Sequence, residues 1–290
     1  MWELALVDVL QVVISGLLIG GVYAAIAIGL NIIFGVMGVI NMAHGEFLMI
    51  GSYITYWVFI LYGMNPYLSP IVVVPIVAVV GLVIYLTCVG PLMGKGHLPS
   101  LLSTFGVSIV LINIARILWT SEFRGILVRS IPFSCGGITI PSTTLFAFIA
   151  AIAMTGALRI FLDKTMIGKA IRATAQEMEG AMLVGINSNK IYALTFMLGC
   201  AVAGFGGVLI SLLYPIYPEM GGSYTMISFL IVIMGGLGSL SGALVGGFIL
   251  GLIQSFSSHF IGVAWESFIA FVFIIIILLL RPKGIIGRGL

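Results

Sequence analysis

The sequence predicts an all-α polytopic membrane protein with about eight to ten transmembrane helices, some of them broken by glycine, and one cytoplasmic helix between two spans. Three observations point there. The 290 residues are 61% hydrophobic and only 7% charged, against about 25% charged in a globular domain. Apolar runs near the ~20 residues needed to cross a bilayer follow one another along the chain. The 38 glycines fall repeatedly at spacings of three or four inside those runs, as in Gly16, Gly20 and Gly21, or Gly242, Gly246 and Gly247. Such spacing lets helices approach closely in lipid, where packing rather than hydrophobicity drives association. Residues 1–290 read as one transmembrane domain.

The opening stretch, MWELALVDVL, carries Glu3 and Asp8 but no Lys or Arg. A cleavable signal would want a basic segment ahead of its apolar core. Residues 11–34 are therefore expected to be a retained first span with the N-terminus outside. Further spans are expected near 47–62, 70–89, 99–119, 142–162, 190–213, 225–241, 243–258 and 262–280. Lys95, Arg159, Lys164, Lys169, Arg172, Lys190, Arg281, Lys283 and Arg288 then mark the cytoplasmic side. Arg124 and Arg129 run against this pattern, in a loop (120–141) that the alternation puts outside. The loop 214–224, YPIYPEMGGSY, is expected as a short outside turn. Its tyrosines suit an interfacial belt or a docking surface for an external partner.

Leu162–Lys190 is the longest water-soluble run. Ala170, Ile171, Ala173, Ala175, Met178, Ala181, Met182 and Val184 recur at spacings near three and four, with Arg172, Gln176 and Glu179 on the other side. That pattern predicts one amphipathic helix over 168–184, stopped by Gly185 and Asn187. It is either a docking element for a motor subunit or a solvated loop lying on the membrane surface.

Two stretches interrupt the apolar pattern, Asn31–Gly51 (NIIFGVMGVINMAHGEFLMIG) and Met234–Gly242 (MGGLGSLSG). Polar and glycine residues at such places free backbone groups that protein or a water-filled cavity must satisfy. A broken helix in each half of the chain is a common frame for a transport site. The first break offers Asn31, Asn41, His44 and Glu46. An ionisable residue at membrane depth is costly enough to be a functional candidate. The other reading makes INMAHGE a tight cytoplasmic-side turn, with Glu46 favoured by the dipole of the helix it opens. The second break offers Ser239 and Ser241, whose hydroxyls bond freed carbonyls or a solute. Asn113 and Arg116 fall near the outer end of their span, where an arginine can snorkel.

Several chemistries lack their residues. No GxxxxGK[ST] is present for ATP hydrolysis. His44, His97 and His259 are too scattered for a metal site, and Cys88, Cys135 and Cys200 form neither a metal motif nor a disulfide framework. No cofactor is called for, and a net charge of +3 gives no reason to expect nucleic acid. No catalytic set presents itself.

Gly29–Tyr53, Ile167–Leu209, Met234–Ile253 and the closing Arg281–Gly287 together resemble permease subunits of branched-chain amino acid ABC importers, the LivH type. The resemblance implies that 162–190 contains the coupling helix that docks on an ATPase subunit. Glu179-Gly180-Ala181, with Gly185 four residues on, stands where the family's E-A-A…G motif would. Gly180 replaces the middle alanine and the closing proline is missing. Arg172, Gln176, Glu177, Glu179, Gly180, Ala181 and Gly185 are the candidate coupling residues. Further implied are two ATPase subunits, a second homologous permease forming a heterodimer, and a periplasmic substrate-binding protein facing the 120–141 and 214–224 loops, in the cell membrane of a prokaryote. The implied mechanism is alternating access driven from outside the chain, with leucine, isoleucine or valine as cargo; relatives of the family move other amino acids, short amides or urea. A stand-alone secondary carrier and a non-transporting scaffold remain the other classes. An ion-gradient response would mark the first, and an absence of flux the second.

Overall fold

The computed structural model describes residues 2–128, 130–281 and 284–286. Arg129 lies outside them, as do Pro282, Lys283, Gly287 and Arg288 of the basic C-terminal stretch. Helices dominate: α1 (Trp2–Met37), α2 (His44–Tyr62), α3 (Pro70–Ile84, carried on by a π turn to Val89), α4 (His97–Trp119), α5 (Ser142–Lys164), α6 (Met166–Gln176), α7 (Met178–Leu183), α8 (Ser188–Ser211), α9 (Met220–Gly235), α10 (Leu240–Phe260) and α11 (Glu266–Leu280). Eight of the described helical stretches are long and apolar enough to cross a membrane, and α9, with 16 residues, is apolar but shorter. A two-stranded hairpin, β1 (Pro132–Cys135) and β2 (Ile138–Pro141), stands at one end, turned by Gly136 and Gly137 at positive φ. Two successive positive-φ residues are what a tight hairpin turn needs; the sequence pattern shows this stretch only as a loop.

Glycine contacts set the core. Gly16 and Gly20 of α1 lie against Gly251 and Gly247 of α10, so that a Cβ on Gly20 would come within 2.7 Å of the Gly247 carbonyl oxygen. Gly29 meets Gly199 of α8, and Gly51 of α2 meets Gly204. Backbones this close gain dispersion contacts that larger side chains would prevent. Helices α4 and α11 sit at the periphery with apolar side chains such as Ile117, Leu118, Leu279 and Leu280 exposed, as a lipid-facing surface requires.

The charged ends sort by side. Lys95, Lys164, Lys190 and Arg281 stand at or beside helix ends, Arg159 lies near the end of α5, and Lys169 and Arg172 lie on α6 between α5 and α8; the positive-inside rule makes this the cytoplasmic face. At the opposite end, Arg116 pairs with Glu219 at 2.7 Å. Arg124 exchanges backbone hydrogen bonds with Ile216 and lies over the rings of Tyr56 and Trp57, 5.5 and 5.3 Å from their centroids. These two cations are held by local partners.

The two halves follow one plan in opposite orientation. Helix α1 ends at Met37 and the chain turns back into the bundle before α2 starts; α8 ends at Ser211 and the chain turns back before α9 starts. Helix α3 packs on α8 as α10 packs on α1, and α2 and α9 meet between them. Inverted repeats of this kind place a site where the repeats join. The apolar pattern pairs the first break with Met234–Gly242. The structure pairs it with 212–219 instead. The 214–224 stretch is not a simple outside turn: Ile216, Pro218 and Met220 are buried, and α9 is already helical from Met220.

Candidate substrate path and coupling surface

The first break spans 38–43, between the end of α1 and the start of α2, and Asn31 lies above it within α1. Gly38 takes φ 63°, a turn that an L side chain resists. Asn41 Oδ1 accepts the Ala43 N–H at 3.1 Å, organising the start of α2. His44 Nε2–H donates to the Ile26 carbonyl at 3.0 Å. Ile26 is about three turns back from the end of α1, so α2 begins near mid-depth. The expectation of a tight turn at the cytoplasmic side is corrected here, although Glu46 does stand in the first turn of α2.

Glu46 is wholly buried, and its Oε1 accepts the Ser108 hydroxyl at 2.9 Å from the middle of α4. The Gly45 N–H donates to Thr225 Oγ1 of α9 at 2.8 Å. Gly45 and Gly221 meet backbone to backbone, and a Cβ on Gly221 would lie 3.0 Å from Glu46 Oε1. Two helix N-termini thus converge on one carboxylate, and both dipoles favour its charge. Asn41 Nδ2, His44 Nδ1 and Glu46 Oε2 are buried without a protein partner. Buried polar atoms nearly always have one, and these three fall within six consecutive residues of the break.

The other predicted path residues lie elsewhere. Asn31 Nδ2 donates to the Ser239 carbonyl and its Oδ1 accepts the Gly238 N–H, both at 2.7 Å. Its amide clamps the α9–α10 turn. Ser239 Oγ caps α10 by accepting the Gly242 N–H, and Ser241 is exposed. Asn41, His44 and Glu46 all belong to the first break but face different neighbours, His44 towards α1 at Ile26 and Gly29 and Glu46 towards α4 and α9; Asn31, Ser239 and Ser241 lie at another place, beside the cytoplasmic end of α1. Ser108, Thr225 and Gly221 lie beside Gly45 and Glu46 but carry no signal in the sequence, because their relevance comes only from the α2–α9 and α2–α4 contacts.

The cytoplasmic segment is two helices, not one. Glu177 is extended (φ −156°, ψ 102°) and separates α6 from α7. The break turns α7 relative to α6, so the predicted single apolar face does not exist. Gly168, Ile171, Thr174 and Ala181 face inward, while Met178, Met182, Leu183 and Val184 are exposed, the last two at 89% and 77%. Arg172 reaches back to Asp163 at 3.0 Å; Gln176, Glu177 and Glu179 point to solvent and Gly180 is half-buried. Gly185 ends α7 at φ 85°, whereas Asn187 caps the start of α8 by accepting the Lys190 N–H. Exposed apolar side chains beside exposed carboxylates form a surface suited to a partner.

Residues 12–278 match the family model described as branched-chain amino acid transport system / permease component. The chain belongs to this family. The permease is 34% identical to the high-affinity branched-chain amino acid transport system permease protein BraD of Pseudomonas aeruginosa, with 96% of each chain covered. It is 32% identical to LivH of Escherichia coli K12, again over 96% of each. It is 30% identical to the probable LivH of Methanocaldococcus jannaschii, over 90% of this chain and 87% of that one. Among solved structures, PsaBC from Streptococcus pneumoniae in complex with Fab has the same fold at 14% identity, with TM-score 0.50 over 93% of this chain and 91% of that one.

Proposed function

We propose that the permease carries branched-chain amino acids, such as leucine, inward across the cell membrane as the transmembrane subunit of an ATP-driven importer. The observation that carries the reading is the junction of the α2 and α9 N-termini, with Asn41, His44 and Glu46 buried and three of their polar atoms unpartnered. A zwitterion passing this point would meet a carboxylate for its ammonium group and amide donors for its carboxylate. The permease performs no chemistry itself. Two ATPase subunits dock on α7 and its surroundings, a second homologous permease completes the transmembrane unit, and a substrate-binding protein delivers cargo to the outer end, where the hairpin and the Arg124–Ile216 contact lie.

Motion would arise at the two re-entrant segments. A push on α6 and α7 reaches the core directly, because Ile171 is buried where α6 packs against α1. Since α1 also holds His44 through the Ile26 carbonyl, displacement of α1 would reshape the junction.

Co-purification from native membranes, followed by reconstitution with labelled leucine, tests this. A P-loop ATPase should accompany the permease, and uptake should require ATP and the binding protein. Uptake that follows an ion gradient with no ATPase present would make the permease a secondary carrier and end the proposal; stimulation by urea or a short amide alone would reassign the cargo.

A further inference from the structure

A second polar space lies apart from the junction. Between the outer halves of α1 and α10 is an open cavity of about 560 Å³, lined also by Glu266 at the start of α11 and by Tyr23 and Tyr214. Its volume is within the ~300–1,000 Å³ usual for small-molecule sites. Part of its polar lining is already committed to the fold: the Gln11 amide bonds Ser15 and Thr139, and the Ser255 hydroxyl donates to the Val12 carbonyl. Gln254, Ser258, His259 and Glu266 also line it, and among the described residues none of their side chains has a protein hydrogen-bond or ion-pair partner. Unpaired polar groups like these are better satisfied by a small polar solute than by a lipid chain.

The lining has one carboxylate, one imidazole and no Lys or Arg. It therefore favours a ligand bearing an ammonium group over a plain anion. The Gln254 amide and Ser258 hydroxyl offer donors for a carboxylate, while Val12 and Ile19 give the lining an apolar part for an aliphatic side chain. The lining residue Tyr23 is about one turn from Ile26, the carbonyl that holds His44. Tyr23 thus stands on α1 between the cavity and the residue that holds His44.

We infer that this cavity is an outer chamber that binds a free aliphatic α-amino acid ahead of the His44–Glu46 junction. The choice of ligand rests on the transport reading given above. Glu266 takes the ammonium group, Gln254 and Ser258 take the carboxylate, and Tyr23 stands between the chamber and the junction.

The test uses the whole complex in right-side-out vesicles, in a Cys135→Ser background, with Gln254→Cys and Ser258→Cys made separately. Each cysteine is reacted with a membrane-impermeant maleimide, alone and with leucine, isopentylamine or 4-methyl-2-oxopentanoate. Both should label from outside, saturating leucine should slow labelling severalfold, and the keto acid should not protect. Adding Glu266→Gln should abolish protection by leucine. Cysteines that do not react, leucine that leaves both rates unchanged, or equal protection by the keto acid would overturn the chamber. ATP-driven leucine uptake is measured on the same vesicles. Uptake without protection removes the chamber and spares the transport reading; protection without uptake does the reverse.

Discussion

Glu46 and Glu179 both stand in the first turn of a helix, α2 and α7, and the protein treats them in opposite ways. Glu46 is sealed among α2, α4 and α9, bonded to Ser108, with backbone pressed on backbone at Gly45 and Gly221. Glu179 is exposed beside Leu183 and Val184 on a helix of six residues. A carboxylate in water near a helix N-terminus costs the fold nothing. A buried one is retained only where its surroundings over-determine it. On the proposed reading, the first belongs to the path of a passing solute and the second to the face that meets a partner.

That contrast breaks most visibly at the glycines. Gly45→Ala would drive a Cβ into the Gly221 carbonyl, whereas Gly222 next to it has open space. Overpacking alone costs about 1–3 kcal/mol, and here the obstacle is backbone. Gly45→Ala should lower the unfolding temperature in detergent or abolish recovery of folded protein, while Gly222→Ala should match the parent; equal behaviour would mean that the helices do not meet this closely.

At the other pole, Leu183→Glu should leave unfolding within about 0.5 kcal/mol of the parent, as surface changes do, yet release the ATPase on purification. Retention of a fully coupled ATPase would remove α7 from the docking surface. Glu46→Gln is expected to fall between these. The folded, assembled complex should persist while leucine uptake drops about tenfold, equivalent to ~1.4 kcal/mol in the barrier; undiminished uptake would take the carboxylate out of the path. The least effect belongs to Arg116→Gln: its bond to Glu219 is half-exposed, and pairs of that kind contribute ~0–1 kcal/mol, so uptake and unfolding should hardly change.

Much of this was legible in the sequence, because lipid imposes length and apolarity on every span. The nine expected spans all have helices, and the break around Asn41 and Glu46 was visible as polar residues inside an apolar run. Depth was not legible. Whether INMAHGE turns at the surface or inside depends on Ile26, Ser108 and Gly221, and the last two are far away in sequence. The depth of 212–219 was equally hidden, because prolines and tyrosines signal a surface turn just as well. The α6–α7 break left no trace because Glu177 has no strong helix-breaking character of its own, so the spacing of apolar residues ran through it as one helix.

A solute path through the α2–α9 junction is tested most directly by the accessibility of Ser108→Cys, beside Glu46, to a small thiol reagent in proteoliposomes holding the full complex. Labelling is expected from one side of the membrane without nucleotide and from the other when ATP is trapped. A cysteine that stays unreactive from both sides in both states, while leucine uptake proceeds normally, would contradict a path through this junction.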